Sequence, residues 1–130
     1  MEHLVIHAEP NLPDVNFNAE SGNLSISGRS VPEFVKPFYD QVLDWIGKYS
    51  KNPAENTHFV FHLDFFNISS SKAFLFILYK LLEIQNSGKK VKVTWMYSDA
   101  YLLGAGRDYA YMVKLPFEFV KTSKMADLEA

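Results

Sequence analysis

Three consecutive hydroxyls, Ser69, Ser70 and Ser71, followed by Lys72, stand where an apolar alternating run ends and a helical pattern begins. A hydroxyl at a helix start can cap it by accepting an amide hydrogen bond, which is the commonest use of serine there. One serine suffices for that, and three are present. The chemistry open to the surplus is phosphorylation. A phosphoryl group in the first turn meets unpaired amides and the positive end of the helix dipole, with the Lys72 ammonium one turn inside. It would add about −1.5 to −2 charges beside Phe66 and Ile68, enough to abolish a contact made through that surface.

Other candidate groups do not assemble. His58 and His62 share one face of a strand with Asp64 nearby, but i and i+4 on a strand lie roughly 13 Å apart, too far to share one zinc ion. A solvated polar sheet face is the expected reading, with no metal and no cofactor. Gly104-Ala105-Gly106 begins a dinucleotide fingerprint, but Tyr109 takes the third glycine's place and no strand directly precedes it, so close helix packing is expected. There is no GxSxG, GxxxxGK[ST] or HExxH pattern, and no cysteine for a thiolate nucleophile, zinc site or disulfide. The expectation is a non-enzymatic protein. A rival reading, a small-molecule-binding α/β domain, places a ligand at the strands' carboxyl ends in a pocket lined by Trp95, Tyr97 and the serines.

The elements that position the serines follow from periodicity. Val15 to Ala19 and Leu24 to Ser27 alternate around a Gly22 turn and predict a hairpin. Phe38, Val42, Trp45, Ile46 and Tyr49 predict a helix that starts near Lys36, with Pro37 confined to its first turn. Phe59, Phe61, Leu63 and Phe65 alternate with His58, Val60, His62, Asp64 and Phe66, a strand near the sheet centre. Ala73, Phe74, Ile77, Leu78, Leu81 and Leu82 predict a second helix stopped by Gly88. Val91, Val93 and Trp95 give a strand, Leu102, Gly106, Tyr109 and Val113 a third helix, and Phe117 to Val120 a last strand. This alternation of strand and helix predicts an α/β sandwich, a mixed sheet whose parallel crossovers are made by helices two and three.

The chain has 130 residues, 48% of them hydrophobic, which predicts one domain over 1–130 with a core of about 13–120 and a tail frayed from Thr122. Thirteen Lys and Arg against fifteen Asp and Glu give a charge of −2, no surplus for a nucleic-acid groove. No apolar run approaches the roughly 20 residues of a membrane span. Met1 to His7 lacks the basic-then-apolar order of a secretory signal, and the absence of cysteine fits a cytoplasmic location.

Several segments carry a more specific resemblance: Ser27-Gly28-Arg29-Ser30-Val31-Pro32-Glu33, Asp64-Phe65-Phe66-Asn67-Ile68-Ser69-Ser70-Ser71-Lys72-Ala73, Val91 to Tyr97, Ala105-Gly106-Arg107-Asp108-Tyr109 and Leu115 to Phe119. In this order and spacing the chain resembles the SiaC family of bacterial regulatory phosphoproteins. The resemblance implies a STAS-like α/β fold and a role in partner switching. Its partners would be a Ser/Thr kinase of histidine-kinase-like fold, a PP2C-type phosphatase and a GGDEF diguanylate cyclase, activated by the unphosphorylated form.

Three departures from the family pattern matter. The family's phosphoacceptor is a threonine directly after the turn's asparagine, and that position here is Ile68. Either the acceptor has moved to Ser69 or Ser70, with Ser69 favoured by correspondence with the wider STAS antagonists, or the switch is lost and the protein is a constitutive adaptor. Acids usual at two positions of helix two are Phe76 and Tyr79, which with Leu75 form an apolar strip, exposed for a partner or covered by a loop. The segment Ser98 to Leu103 lacks the acidic run of many relatives. The expected partner surface is Asn67, Ile68, Ser71, Lys72, Phe76 and Tyr79.

Overall fold

A computed structural model describes residues 1–33 and 35–123. Six strands, β1 (Leu4–Ile6), β2 (Asp14–Phe17), β3 (Asn23–Ser30), β4 (Asn56–Phe66), β5 (Lys90–Tyr97) and β6 (Phe117–Lys121), form one sheet in sequence order. The helices are α1 (Val35–Tyr49), α2 (Ile68–Asn86) and α3 (Ala100–Met112). β1, β2 and β3 pair antiparallel, while β3 to β6 run parallel. All three helices are therefore parallel crossovers. The expectation of two fails at α1, because β3 pairs with β4 as well as with the hairpin strand β2.

The core forms where the inward sheet residues meet the helices. Phe17 packs on Trp45 of α1, Phe61 on Phe74 of α2, and Trp95 on Tyr109 of α3, with ring centroids 5.1, 5.5 and 5.5 Å apart. Phe61 and Trp95 are register partners on neighbouring strands, so α2 and α3 cover the same sheet face. The opposite face carries Ser25, His58, Val60, His62 and Thr94 between the strand ends. Alternation along β4 breaks near its end. The β3–β4 register passes from Gly28↔Leu63 to Arg29↔Phe65, so Asp64 is an extra residue and the following side chains exchange faces. Phe66 is consequently buried, against Phe74 and Trp95, and Phe65 is exposed beneath the Arg29 guanidinium, 5.1 Å from its ring centre. A strict period of two predicts the reverse for both.

α1 begins at Val35, close to the expected Lys36, and keeps Pro37 in its first turn, where the missing amide costs no hydrogen bond. α2 starts five residues before its first periodic core residue, Ala73. It stops at Ser87, after which Gly88 takes φ 103°, the left-handed conformation that closes a helix. The fraying expected from Thr122 concerns, from residue 124 onward, positions outside the described residues.

Candidate functional site

The strand-to-helix turn is built by Asn67. Its backbone is extended, at φ −88° and ψ 172°, and its Oδ1 accepts a hydrogen bond from the Ser70 amide at 2.8 Å. The cap is thus the asparagine and not a serine, and all three serines lie inside the first helical turns. An amide oxygen on a short side chain reaches the third residue's N–H as well as a hydroxyl does, and Asn67 comes first in the chain. The capping role expected of a serine is therefore already filled, and each serine hydroxyl has a different environment.

Ser70 is fully buried. Its Oγ donates to the Ser30 carbonyl at 2.9 Å and lies 2.8 Å from the Ser30 Oγ, which is 2.5 Å from the Tyr39 hydroxyl. One proton order satisfies all of them: Tyr39 donates to Ser30, Ser30 to Ser70, and Ser70 to the Ser30 carbonyl. The backbone N–H of Asn67 donates to the same carbonyl at 3.1 Å. β3, α1 and α2 are thereby joined at one buried hydroxyl chain, and burial pushes the Tyr39 phenol up to about 12 against the opposing effect of its hydroxyl partners. Ser71 donates to the Ile68 carbonyl at 2.6 Å, and its own carbonyl accepts from the Tyr109 hydroxyl of α3 at 2.7 Å. The first turn of α2 is held from three sides.

Ser69 differs from both neighbours. It is exposed, and among the described residues its hydroxyl makes no hydrogen bond. It lies on the rim of a cleft of about 290 Å³ between α1 and α2, lined by Lys36, Tyr39, Asp40, Leu43, Ser69, Lys72, Ala73 and Phe76. The amides of Ile68 and Ser69, first in the helix, have no acceptor within it. Lys36 pairs with Asp40 at 2.7 Å, whereas Lys72 is exposed and, among the described residues, has no acidic partner. Among the described residues no cysteine or histidine lines this cleft, and its one carboxylate, Asp40, is bound to Lys36.

The outward face of α2 carries Ile68, Lys72, Phe76 and Tyr79 at spacings of four, four and three, one continuous stripe. Ile68 is 79% exposed, Phe76 56% and Tyr79 44%, so no loop among the described residues covers them. Leu75 separates from this strip, packing partly buried against the core. The structure thus brings together Asn67, Ile68, Ser69, Lys72, Phe76 and Tyr79, buries the Ser70 hydroxyl and ties the half-exposed Ser71 hydroxyl to the Ile68 carbonyl. The part that Ser30, Tyr39, Leu43 and Tyr109 play in this site was missed by sequence reasoning. Ser30 and Ser70 are forty residues apart, and no local spacing announces that pair.

The other candidates resolve separately. The pocket of the ligand-binding rival is not formed by the residues expected. Trp95 is 1% exposed, its indole donates to the Leu102 carbonyl at 2.8 Å, and the ring is covered by Gly106. A Cβ at Gly106 would lie 2.5 Å from that ring, so the Gly104-Ala105-Gly106 segment serves helix packing. His58 Nε2 lies 2.7 Å from the Thr94 hydroxyl on the open sheet face, and His62 Nε2 is buried there with no partner among the described residues. Among those residues no three of His, Asp and Glu gather at metal-binding distance. Asp99, the remaining acid of Ser98 to Leu103, caps α3 by accepting from the Leu102 amide at 2.8 Å. No described helix is long and apolar enough to cross a membrane.

Comparison with known proteins bears on the fold and the family. The chain is 30% identical over 97 residues to an uncharacterised protein of Pseudomonas aeruginosa strain UCBPP-PA14, an alignment covering 75% of this chain and 77% of that protein. Apo-SiaC from Pseudomonas aeruginosa superposes with a TM-score of 0.85 at 26% identity, over 92% of this chain and 99% of that one. A further structure, of the diguanylate cyclase SiaD in complex with its activator SiaC from the same organism, shares the fold with a TM-score of 0.85 at 24% identity, over 92% and 99% of the chains. The model of the SiaC family of regulatory phosphoproteins matches residues 6–122, taking in every strand but the first two residues of β1 and all three helices. The chain, with its capped turn, clamped first helical turn and one outward hydroxyl, belongs to the SiaC family of regulatory phosphoproteins.

Proposed function

We propose that this protein is a partner-switching regulator that acts as one unit over its whole length. Its α2 face binds and activates a diguanylate cyclase when bare, and phosphate on Ser69 releases that partner. The observation that carries the reading is the contrast between adjacent hydroxyls: Ser70 is buried in the Ser30–Tyr39 chain, whereas Ser69 is exposed on the rim beside Lys72. Of the three serines, Ser69 is the exposed one whose hydroxyl makes no hydrogen bond among the described residues, so a kinase would reach it without opening the helix start. A phosphate there would gain the first amides of α2 and the Lys72 ammonium, and would reverse the charge of the surface a partner uses.

The cyclase as partner is supported by SiaC of Pseudomonas aeruginosa, which activates SiaD. A kinase of histidine-kinase-like fold and a PP2C-type phosphatase would set the phosphorylation state, and such a switch works in the cytoplasm, where ATP and the cyclase's nucleotide substrate are found. Ile68 at the family's usual acceptor position supports a second reading, a constitutive adaptor.

Peptide mass spectrometry on protein recovered from its native cells, with and without PP2C-type phosphatase, tests the choice. Phosphatase-sensitive phosphate on Ser69 is the expected result. Its absence under every growth condition, together with cyclase binding, would establish the adaptor instead. Failure to bind or stimulate any diguanylate cyclase of those cells would overturn the cyclase reading.

A further inference from the structure

We infer that the cleft between α1 and α2 is the anchor pocket for the partner, and that it receives one large apolar side chain from an acidic amphipathic helix. This rests on the reading of the α2 face as the partner surface. The floor is apolar and firm: Ala73 and the Tyr39 ring are buried, and Tyr39 is fixed in place by its hydrogen bond to Ser30. The walls are Leu43 of α1 and Phe76 of α2, and more than half of the Phe76 side chain is left in water. A cleft of about 290 Å³ between two packed helices has the shape that accepts a knob from a third, and a desolvated anchor of this kind carries most of an interface's energy.

Charge selects the occupant. Lys36 and Lys72 stand on opposite walls, and Asp40 answers only the first of them. The rim thus carries a net positive charge centred on Lys72, on a protein whose overall charge is −2. A carboxylate one helical turn from the apolar anchor would reach Lys72, while a basic helix would find that position occupied by a like charge. Ser69 sits on the same rim, one turn before Lys72. A phosphate on Ser69 would take the Lys72 ammonium for itself and set two negative charges against the partner's carboxylates. The pocket would close electrostatically with no change of fold.

The test is a titration of the full chain, labelled with nitrogen-15, with three synthetic helical peptides: a leucine anchor flanked by glutamates, the same anchor flanked by lysines, and the glutamate peptide with alanine at the anchor. The expected result is that the first peptide shifts the amides of Leu43, Ser69, Lys72 and Phe76, and binds about tenfold or more tightly than the other two. Lys72→Glu should invert the order of the acidic and basic peptides, and Ser69→Glu should weaken the acidic peptide by a similar factor. Equal affinities for the three peptides, or shifts confined to another face, would overturn the inference.

Binding of a diguanylate cyclase by Lys72→Glu and by a further variant, Phe76→Ala, separates the two readings. Cyclase binding that is unaffected by both Lys72→Glu and Phe76→Ala sinks the pocket and leaves the cyclase reading standing. Selective filling of the pocket by the acidic peptide, with no cyclase bound, does the opposite.

Discussion

The hydroxyl of Ser70 lies 2.8 Å from that of Ser30, and both are fully buried although forty residues separate them in sequence. This pair fixes the end of β3 against the first turn of α2, and so decides which of three adjacent serines faces water. Replacing one partner leaves the other's polar atom buried and unsatisfied, which costs more than the hydrogen bond itself contributes. Ser70→Ala is therefore expected to lower stability by about 1–3 kcal/mol, and Ser69→Ala by less than about 0.5 kcal/mol. Denaturant midpoints of the two variants, measured side by side, check this. Similar losses at both positions would show that the hydroxyl chain is not what holds the turn.

A negative charge at Ser69 should leave the fold intact and still change binding. Position 69 is the second residue of α2, where an acid interacts favourably with the helix dipole by about 0.3–1 kcal/mol. Ser69→Glu should thus melt within a few degrees of the natural protein while weakening the hold on a partner. A large drop in melting temperature would mean that the Ser69 side chain has a structural duty.

Lys72 should matter chiefly once a phosphate is present. In the bare protein it is an exposed lysine with no acidic partner among the described residues, and such a side chain contributes little to stability. Lys72→Ala is expected to lower the melting temperature of the Ser69-phosphorylated chain more than that of the bare chain. Equal shifts in the two forms would argue against a Lys72–phosphate contact.

How far the sequence reveals this site depends on the range of the interactions that build it. The hairpin, all three helices and the central position of β4 follow from local periodicity, because burial of one face imposes a period of two or 3.6 on neighbouring residues. The turn at Asn67 to Lys72 was legible for the same reason, as an interruption between two periodic runs. What escaped is non-local. The extra residue at Asp64 exchanges Phe65 with Phe66 because of how β4 pairs with β3, which no pattern within β4 announces. The division of labour among Ser69, Ser70 and Ser71 depends on Ser30, Tyr39 and Tyr109, each from a different element. The apolar strip was seen, but only the helix phase separates Leu75, which packs on the core, from Phe76 and Tyr79, which face water.

Tyr39 makes stability depend on alkaline pH. Its folded phenol is raised to about 12 by burial, above an ordinary value of 10.0, and Tyr109 is raised by burial as well. The folded state therefore holds these protons more tightly than the unfolded chain does. The corresponding stability is fully present below about pH 10 and is lost as pH rises through the folded value. Unfolding free energy should fall between about pH 10 and 12, by roughly 2–3 kcal/mol for Tyr39 alone. Tyr39→Phe should start lower, having lost the bond to Ser30, but decline less steeply over that window. A decline equally steep in the variant would place the alkaline sensitivity elsewhere.

Two glycines two residues apart in α3 should respond oppositely to the same substitution. An alanine Cβ at Gly106 would stand 2.5 Å from the Trp95 indole, which is itself wedged against Phe61, Phe66 and Tyr109 and hydrogen-bonded to Leu102. The ring has nowhere to retreat, so Gly106→Ala forces α3 off the sheet and should cost about 1–3 kcal/mol, as overpacking in a dense core does. At Gly104 an added Cβ meets nothing within 4 Å, and the residue lies in mid-helix on the exposed side. Gly104→Ala then gains only the difference in helix propensity, up to about 1 kcal/mol of stabilisation. Tryptophan fluorescence reports both the unfolding midpoint and the environment of Trp95. A Gly106→Ala protein as stable as the natural one, with unchanged emission, would contradict the tight seating of α3 on Trp95, and with it the path by which Tyr109 reaches the Ser71 carbonyl.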